Sequence, residues 1–226
     1  YLKVVNLLLY NHNLTHRHRL GLRVAALDST AMSMDIRGDF TGKSIESLLH
    51  WQGRLYFELK QIDLAVWHRW IPFPDEIDIQ QGKGALRGWL TLAEGAIDNS
   101  LIDTALHQIQ ANPSSNLPKL ELEFLQGRTG SKPFNQSGNH VQEWTTHRLN
   151  FKLAHQQTVT NPINALWRKY QDLESSEESN YLQIDEIDIG AWANLLGYLP
   201  VDAALREQIK KYSPTGRVEQ MQFSWK

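Results

Sequence analysis

A six-residue pattern that occurs twice constrains the fold of this chain more than any other feature. The two copies are Ile62-Asp63-Leu64-Ala65-Val66-Trp67 and Ile187-Asp188-Ile189-Gly190-Ala191-Trp192, which lie 125 positions apart (187 − 62). Each copy follows an alternating apolar stretch, begins a short amphipathic helix and precedes a Gly-led strand, at Gly84 or Gly216. Repeated units usually cannot bury their apolar faces alone and stack on their neighbours. The sequence therefore predicts strand-helix-strand units at about 51-92 and 181-226.

Four residues of the repeat have predicted structural roles. Asp63 and Asp188 are of a residue type that favours the N-cap of a helix. Trp67 and Trp192 occupy equivalent positions, so we expect both to fill helix-to-sheet contacts. A further helix is predicted to begin at Asp202 and to stop before Pro214.

Period-two alternation of apolar and polar residues recurs along the chain and predicts strands with one dry and one wet face. Two early stretches, 20–26 and 32–38, are predicted to form a hairpin about Asp28 and Ser29. The helices are few and short. The predicted fold is therefore mainly β, an elongated antiparallel sheet that forms one continuous unit over residues 1–226.

Composition excludes several classes of protein. With 23 Lys and Arg against 25 Asp and Glu, the formal net charge is −2, so we expect no nucleic-acid partner. The chain has no cysteine, which removes disulfides, thiolate zinc sites and cysteine nucleophiles. Its longest apolar run, residues 4–10, is far shorter than the roughly 20 residues of a spanning helix. Because it starts at Tyr1 and stops within a strand pattern, we expect a fragment of a longer protein.

Candidate catalytic and metal-binding residues each have a structural explanation. His16 and His18 could share a strand face with His12 nearby, but a zinc site needs three or four ligands with supporting partners. Asp185 and Glu186 cluster with Asp188, which already has a helix to cap. No nucleophile elbow or phosphate-binding loop is present. We therefore predict a protein that is not an enzyme, without metal or cofactor.

The apolar side of the predicted strands allows more than one function. An apolar face must be covered by another layer, closed into a barrel or presented to an apolar ligand. The residues alone do not decide between a lipid groove and an ordinary core. A third hypothesis uses the eight tryptophans as sugar platforms, which requires exposed tryptophans in a row beside two facing carboxylates. The candidate groove residues share an apolar character and one face of their strands: Leu55, Phe57, Leu59, Leu86, Leu90, Leu122, Phe124, Leu149, Phe151 and Leu153.

The repeated pattern, together with Trp51-Gln52-Gly53-Arg54-Leu55-Tyr56-Phe57 and Gly84-Ala85-Leu86-Arg87-Gly88-Trp89-Leu90, resembles YhdP-type proteins of the AsmA-like family. The resemblance extends over essentially the whole chain. It implies a periplasmic piece of an envelope protein of Gram-negative bacteria, anchored in the inner membrane by a segment outside this chain.

The resemblance also implies a function. Such proteins have a long β-sheet that is expected to curve into an open groove with an apolar inner surface, and they are implicated in moving phospholipid between the two membranes. The partners expected from it are phospholipid acyl chains and other envelope proteins. It therefore favours the lipid groove over a scaffold that binds only proteins, and it supplies no catalytic residue and no cofactor.

Overall fold

The computed structural model describes residues 2–12, 16–26, 33–43, 51–67, 78–156, 159–175 and 177–226. These residues form eleven strands and three short helices. In chain order the elements are β1 (Leu2–His12), β2 (Arg17–Ala26), β3 (Ser33–Thr41), β4 (Gln52–Asp63), α1 (Leu64–Trp67), β5 (Asp78–Ala93), β6 (Ala96–Asn112), β7 (Leu120–Gln136), β8 (Asn139–Leu153), β9 (Ile163–Asp172), β10 (Glu178–Asp188), α2 (Ile189–Leu196), α3 (Ala203–Tyr212) and β11 (Arg217–Trp225).

All eleven strands belong to one antiparallel sheet, in which each strand pairs with the next along the chain. The sheet is curved. It is also open, because β1 and β11 are its two edges and do not pair with each other. The predicted early hairpin is confirmed by the pairing of β2 with β3, from Arg17 opposite Thr41 to Ala25 opposite Ser33. Its turn, with Asp28 and Ser29, lies outside the described residues.

The first repeat unit has the predicted strand-helix-strand order, and in the second unit two helices, α2 and α3, lie between β10 and β11. Asp63 accepts a hydrogen bond from the backbone N–H of Ala65 at 3.1 Å, and Asp188 accepts one from Ala191 at 3.1 Å. Each aspartate therefore satisfies an N–H that a helix start leaves without a partner, and Asp188 is the N-cap of α2. The predicted later helix is α3, and Asp202 caps it through the N–H groups of Ala204 and Leu205.

Glycines in the left-handed region allow close approach of neighbouring strands. At Gly84 φ is +146°, and an added Cβ would lie 2.1 Å from the carbonyl oxygen of Ala105. Gly127, with φ of +147°, faces the β-bulge formed by Arg148 in β8. Such bulges bend a strand and increase its twist, which contributes to the curvature of this sheet.

One end of the sheet's apolar face is a sealed core. Trp192 of α2 packs edge-on against Phe151 of β8, with ring centroids 5.1 Å apart, and Leu195 of α2 joins the same cluster. Phe151 is only 2% exposed. We call this cluster the sealed end; its buried members are Leu59, Ile62, Leu64, Leu106, Ile109, Leu122, Phe151, Leu153 and Leu195.

Candidate functional site

Beyond the sealed end, the apolar face carries two rows of side chains that cross every strand of the sheet. Residues directly opposite each other in paired strands lie on the same face, so the strand register defines each row. The first track is Leu9, Leu20, Gly38, Leu55, Leu90, Ser100, Ser131, Trp144, Trp167, Leu182 and Phe223. The second track, two residues along each strand, is Leu7, Leu22, Ile36, Phe57, Gly88, Ile102, Thr129, Thr146, Ala165, Ile184 and Met221.

The first track is not covered by other described parts of the chain. Its interior leucines are only half-buried, and at the sheet edges Leu9 is 71% and Phe223 59% exposed. Ten strand spacings of about 4.8 Å give this track a length of roughly 48 Å. One leaflet of a bilayer's hydrocarbon core is about 15 Å thick, so the track is longer than one acyl chain.

The first track has a stretch of small side chains between two stretches of large ones. Ser100 and Ser131 leave a shallow stretch between the leucines of β4 and β5 and a pair of stacked tryptophans. The rings of Trp144 and Trp167 lie 4.4 Å apart at an interplanar angle of 22°. A long apolar molecule could therefore lie across the serines, with apolar contacts at both ends.

A cavity of about 590 Å³ adjoins the first track near β1 and β5. Its apolar wall includes Leu20, Phe40, Trp51 and Leu92. His18 is buried there, with its ring stacked on Trp51 at 4.1 Å and its Nε2 2.9 Å from the carbonyl oxygen of Gly42. This volume is within the range of small-molecule sites and could hold part of an apolar ligand.

Nine of the ten candidate groove residues fall into three groups in the structure. Leu59, Leu122, Phe151 and Leu153 lie in the sealed end, and Phe57 and Leu86 pack against it. Leu55, Leu90 and Leu149 are half-buried and outside that cluster.

Phe124 is the exception among the ten, because it does not share the apolar face with Leu122. The register shifts between Leu122 and Phe124, so Phe124 pairs with Lys152 while Leu125 pairs with Phe151. This bulge places Glu123 and Phe124 together on the opposite face, and Leu125 packs against the sealed end instead. Alternation counted along the sequence cannot reveal a bulge.

Other apolar-track residues were missing from the sequence-based set. Trp144, Trp167, Leu182 and Phe223 complete the first track across β8 to β11. Each belongs to a strand with period-two alternation, so the signal was present. Only the register shows that these residues continue the same row as Leu55 and Leu90.

The opposite surface of the sheet, which we call the charged face, carries carboxylates held between pairs of basic side chains. Asp103 accepts hydrogen bonds from Arg87 at 3.1 Å and Arg128 at 3.0 Å. The hydrogen bond from Arg128 lowers the pKa of Asp103 to about 2, Arg87 adds to the effect, and burial opposes it. The hydrogen bond from Arg37 likewise lowers the pKa of Asp35.

Glu143 and Asp39 have the same arrangement. Burial would raise the pKa of Glu143, but hydrogen bonds from Arg168 and Lys132 outweigh it and lower that pKa. The pKa of Asp39 is lowered chiefly by its hydrogen bond from Arg17. Four carboxylates of this face are therefore held ionised, and none of them is suited to act as a general acid near neutral pH.

The residues weighed as catalytic or metal-binding have other partners. Asp185 accepts a hydrogen bond from Asn164 at 3.1 Å, and Glu186 accepts one from Asn161 at 2.7 Å. Among the described residues no group of three or more potential metal ligands comes together. Trp192 packs where the repeat predicted, whereas the side chain of Trp67 lies outside the described part of the chain.

The described helices are all too short to cross a membrane, since α3, the longest, has ten residues. A family model described as YhdP protein matches residues 1–226, the whole chain. Comparison with curated proteins found no match, and neither did comparison with solved structures.

Proposed function

Because the chain belongs to the YhdP protein family, we propose that it is a lipid-shielding segment of an envelope protein, with acyl chains lying along the first track. The observation that carries this proposal is a row of positions across all eleven strands, which carries partly exposed apolar side chains except at Gly38, Ser100 and Ser131. Each acyl methylene removed from water there would contribute about 0.8 kcal/mol. Since no polar group is needed for that contribution, binding would depend little on the lipid head group.

The proposed role in the cell is phospholipid transfer between the inner and outer membranes. In this role the chain belongs to the periplasmic part of a protein that is anchored in the inner membrane elsewhere. A conduit needs contacts that are similar at successive steps, and the register of the sheet supplies an apolar side chain on every strand except β3, β6 and β7. A groove that binds lipid without a deep, specific pocket would permit movement along the row.

A second candidate, a scaffold without bound ligand, is favoured by the sealed end. There α2 covers the apolar face as in an ordinary protein core, with Phe151 and Leu153 almost fully buried. If further protein covered the first track in the same way, that face would hold the structure together and bind no lipid.

Site-specific photocrosslinking in bacterial cells distinguishes the two candidates. A photoreactive phenylalanine analogue at Leu55 or Leu90 would face the first track, while the same analogue at Tyr56 or Thr91 would face the opposite side. The neighbouring positions share a strand, so they are matched controls. We expect phospholipid adducts, detected by mass spectrometry, from Leu55 and Leu90 only.

Two other results would reject the lipid groove. Protein adducts at Leu55 and Leu90 without lipid would reject the groove and support the scaffold. Lipid adducts of equal yield at all four positions would also reject it, because a groove must be restricted to one face.

A further inference from the structure

The charged face contains a concavity of about 710 Å³ on the side of the sheet opposite to the apolar tracks. Gly130 lies in the middle of this face between Leu101 and Thr145 of the neighbouring strands, and a Cβ at this position would lie 2.9 Å from the Thr145 hydroxyl oxygen. Tyr56 and Trp89 form one wall, with ring centroids 5.6 Å apart. Trp89 keeps 38% of its surface exposed.

Basic side chains outnumber acidic ones around this concavity, although the whole chain has a net charge of −2. Three cross-strand rows of the charged face hold eight basic side chains and five carboxylates. The basic residues are Arg19, Arg23, Arg37, Arg54, Arg87, Arg128, Lys132 and Arg168, and the acidic ones are Asp35, Asp39, Glu58, Asp103 and Glu143. The surface is therefore locally positive.

Two of these cations border the concavity and are available to a ligand. Arg54 makes no ion pair or hydrogen bond within the described part of the chain, although its charge acts at longer range on Asp39, which Arg17 and Arg19 contact directly. Lys132 lies 3.2 Å from Glu143, which has a second and closer partner in Arg168 at 2.7 Å. Removing Lys132 would leave Glu143 paired, so that lysine is not required to neutralise it.

Neutral hydrogen-bonding groups lie between the two cations. Thr91 and Asn99 pair with each other on β5 and β6, between Arg54 on β4 and Lys132 on β7. Three strand spacings separate β4 from β7, or about 14 Å, which is more than one charged group can span. A ligand that reached both cations would lie across Thr91 and Asn99, with Trp89 beside it.

From this arrangement we propose that the concavity is a second binding site, for a soluble acidic oligosaccharide. Sugar carboxylates or phosphates would pair with Arg54 and Lys132, as guanidinium and ammonium groups do with oxyanions. Ring hydroxyls would exchange hydrogen bonds with Thr91 and with the side-chain amide of Asn99, which also donates to Asp98. The C–H face of a sugar ring would pack on the part of Trp89 that stays exposed beside the guanidinium groups of Arg87 and Arg128. The surrounding carboxylates Asp39 and Glu143 are each paired with basic side chains, so neither is placed to donate a proton to a glycosidic oxygen.

Calorimetric titration of the purified protein with trigalacturonate, using neutral maltotriose for comparison, tests this proposal. We expect trigalacturonate to bind at least about tenfold more tightly than maltotriose at low salt, since two charge-assisted contacts are added. Arg54→Gln and Lys132→Gln should each weaken trigalacturonate binding about tenfold. Trp89→Leu should weaken binding of both saccharides.

Lys60→Gln is the matched control, because Lys60 is a cation of the same face outside the concavity and is 67% exposed. The Lys60→Gln variant should bind trigalacturonate as tightly as the unmodified protein does. Equal losses of trigalacturonate affinity in Lys60→Gln and Arg54→Gln would mean that the charged face attracts anions without a defined site, which would overturn the proposal. Equal affinity for the two saccharides would also overturn it. If phosphatidylglycerol vesicles compete with trigalacturonate, and compete equally well in the Trp89→Leu variant, the surface binds anionic lipid instead. Circular dichroism confirms that each variant is folded.

Discussion

The sealed end and the first track lie on the same face of one sheet, yet they differ in what covers them. Leu55 and Leu59 are four residues apart on β4 (59 − 55), but Leu59 is buried in the same cluster as Leu195 of α2, whereas Leu55 is half-buried. The strands supply both with the same alternation of apolar and polar side chains. An apolar strand face is therefore not by itself a core. It becomes one only where a helix packs on it, and elsewhere it remains available to a ligand.

The largest expected effect comes from removing a ring in the sealed end. Phe151→Ala should lower the free energy of unfolding by about 3–5 kcal/mol, because it leaves a cavity among well-packed neighbours. Leu90→Ala on the first track should cost less than about 1.5 kcal/mol, since that side chain is already half solvated. Urea denaturation of both variants measures the difference. Equal losses would show that the first track is a sealed core as well.

Truncating the helix that covers the sealed end should have the next largest effect. Leu195→Ala in α2 should cost about 2–4 kcal/mol, because the side chain belongs to the buried cluster. Leu205→Ala in α3 is the matched control, since Leu205 is 44% exposed and should change stability by no more than about 0.5 kcal/mol. Thermal unfolding of the two variants compares them. A loss at Leu205 as large as at Leu195 would mean that α3 also covers an apolar surface.

Removing the N-cap of α2 should affect amide hydrogen exchange in the sealed end, whereas removing the N-cap of α3 should not. Asp188→Ala removes the cap of α2 and should cost about 1 kcal/mol, with faster amide hydrogen exchange at Phe151 and Leu153 beneath that helix. Asp202→Ala removes the cap of α3 and should leave exchange at those two amides unchanged, because no residue of α3 is buried. Unchanged exchange in both variants would contradict a covering role for α2.

The smallest expected effect is a loss of folding stability at acidic pH. The pKa of Asp103 is about 2 in the folded protein, below its ordinary value near 3.8, so its ion pairs stabilise the fold above about pH 4. That contribution, at most about 1 kcal/mol after solvent screening, is lost as the pH falls from about 4 towards 2. Asp103→Asn should remove this pH dependence in urea titrations. The same pH dependence in Asp103→Asn as in the unmodified protein would contradict this assignment.

Much of the fold follows from local patterns that the sequence displays. The caps at Asp63, Asp188 and Asp202 were predictable because each aspartate precedes an amphipathic stretch and satisfies nearby N–H groups. The strands were predictable because alternation with period two places apolar side chains on one face. Phe124 was assigned to the wrong face, because a single extra residue in β7 reverses the alternation and carries no sequence signal.

The candidate sites depended more on contacts between distant residues. Leu55 and Phe151 have similar patterns around them, and nothing local indicates that one is half-buried and the other sealed. Arg54 and Lys132 are 78 positions apart (132 − 54) and border one concavity only because of strand register. Likewise, the chain's net charge of −2 conceals the positive surface formed where arginines from several strands meet.

The sequence by itself determined the β-rich class, the two strand-helix-strand units and the separation of an apolar face from a polar one. These properties depend on neighbouring residues and on backbone periodicity. Only the tertiary structure decided the continuous tracks, the sealed end and the concavity of the charged face. Each of these depends on the register between strands and on where α2 packs, and both are set by contacts between residues far apart in the chain.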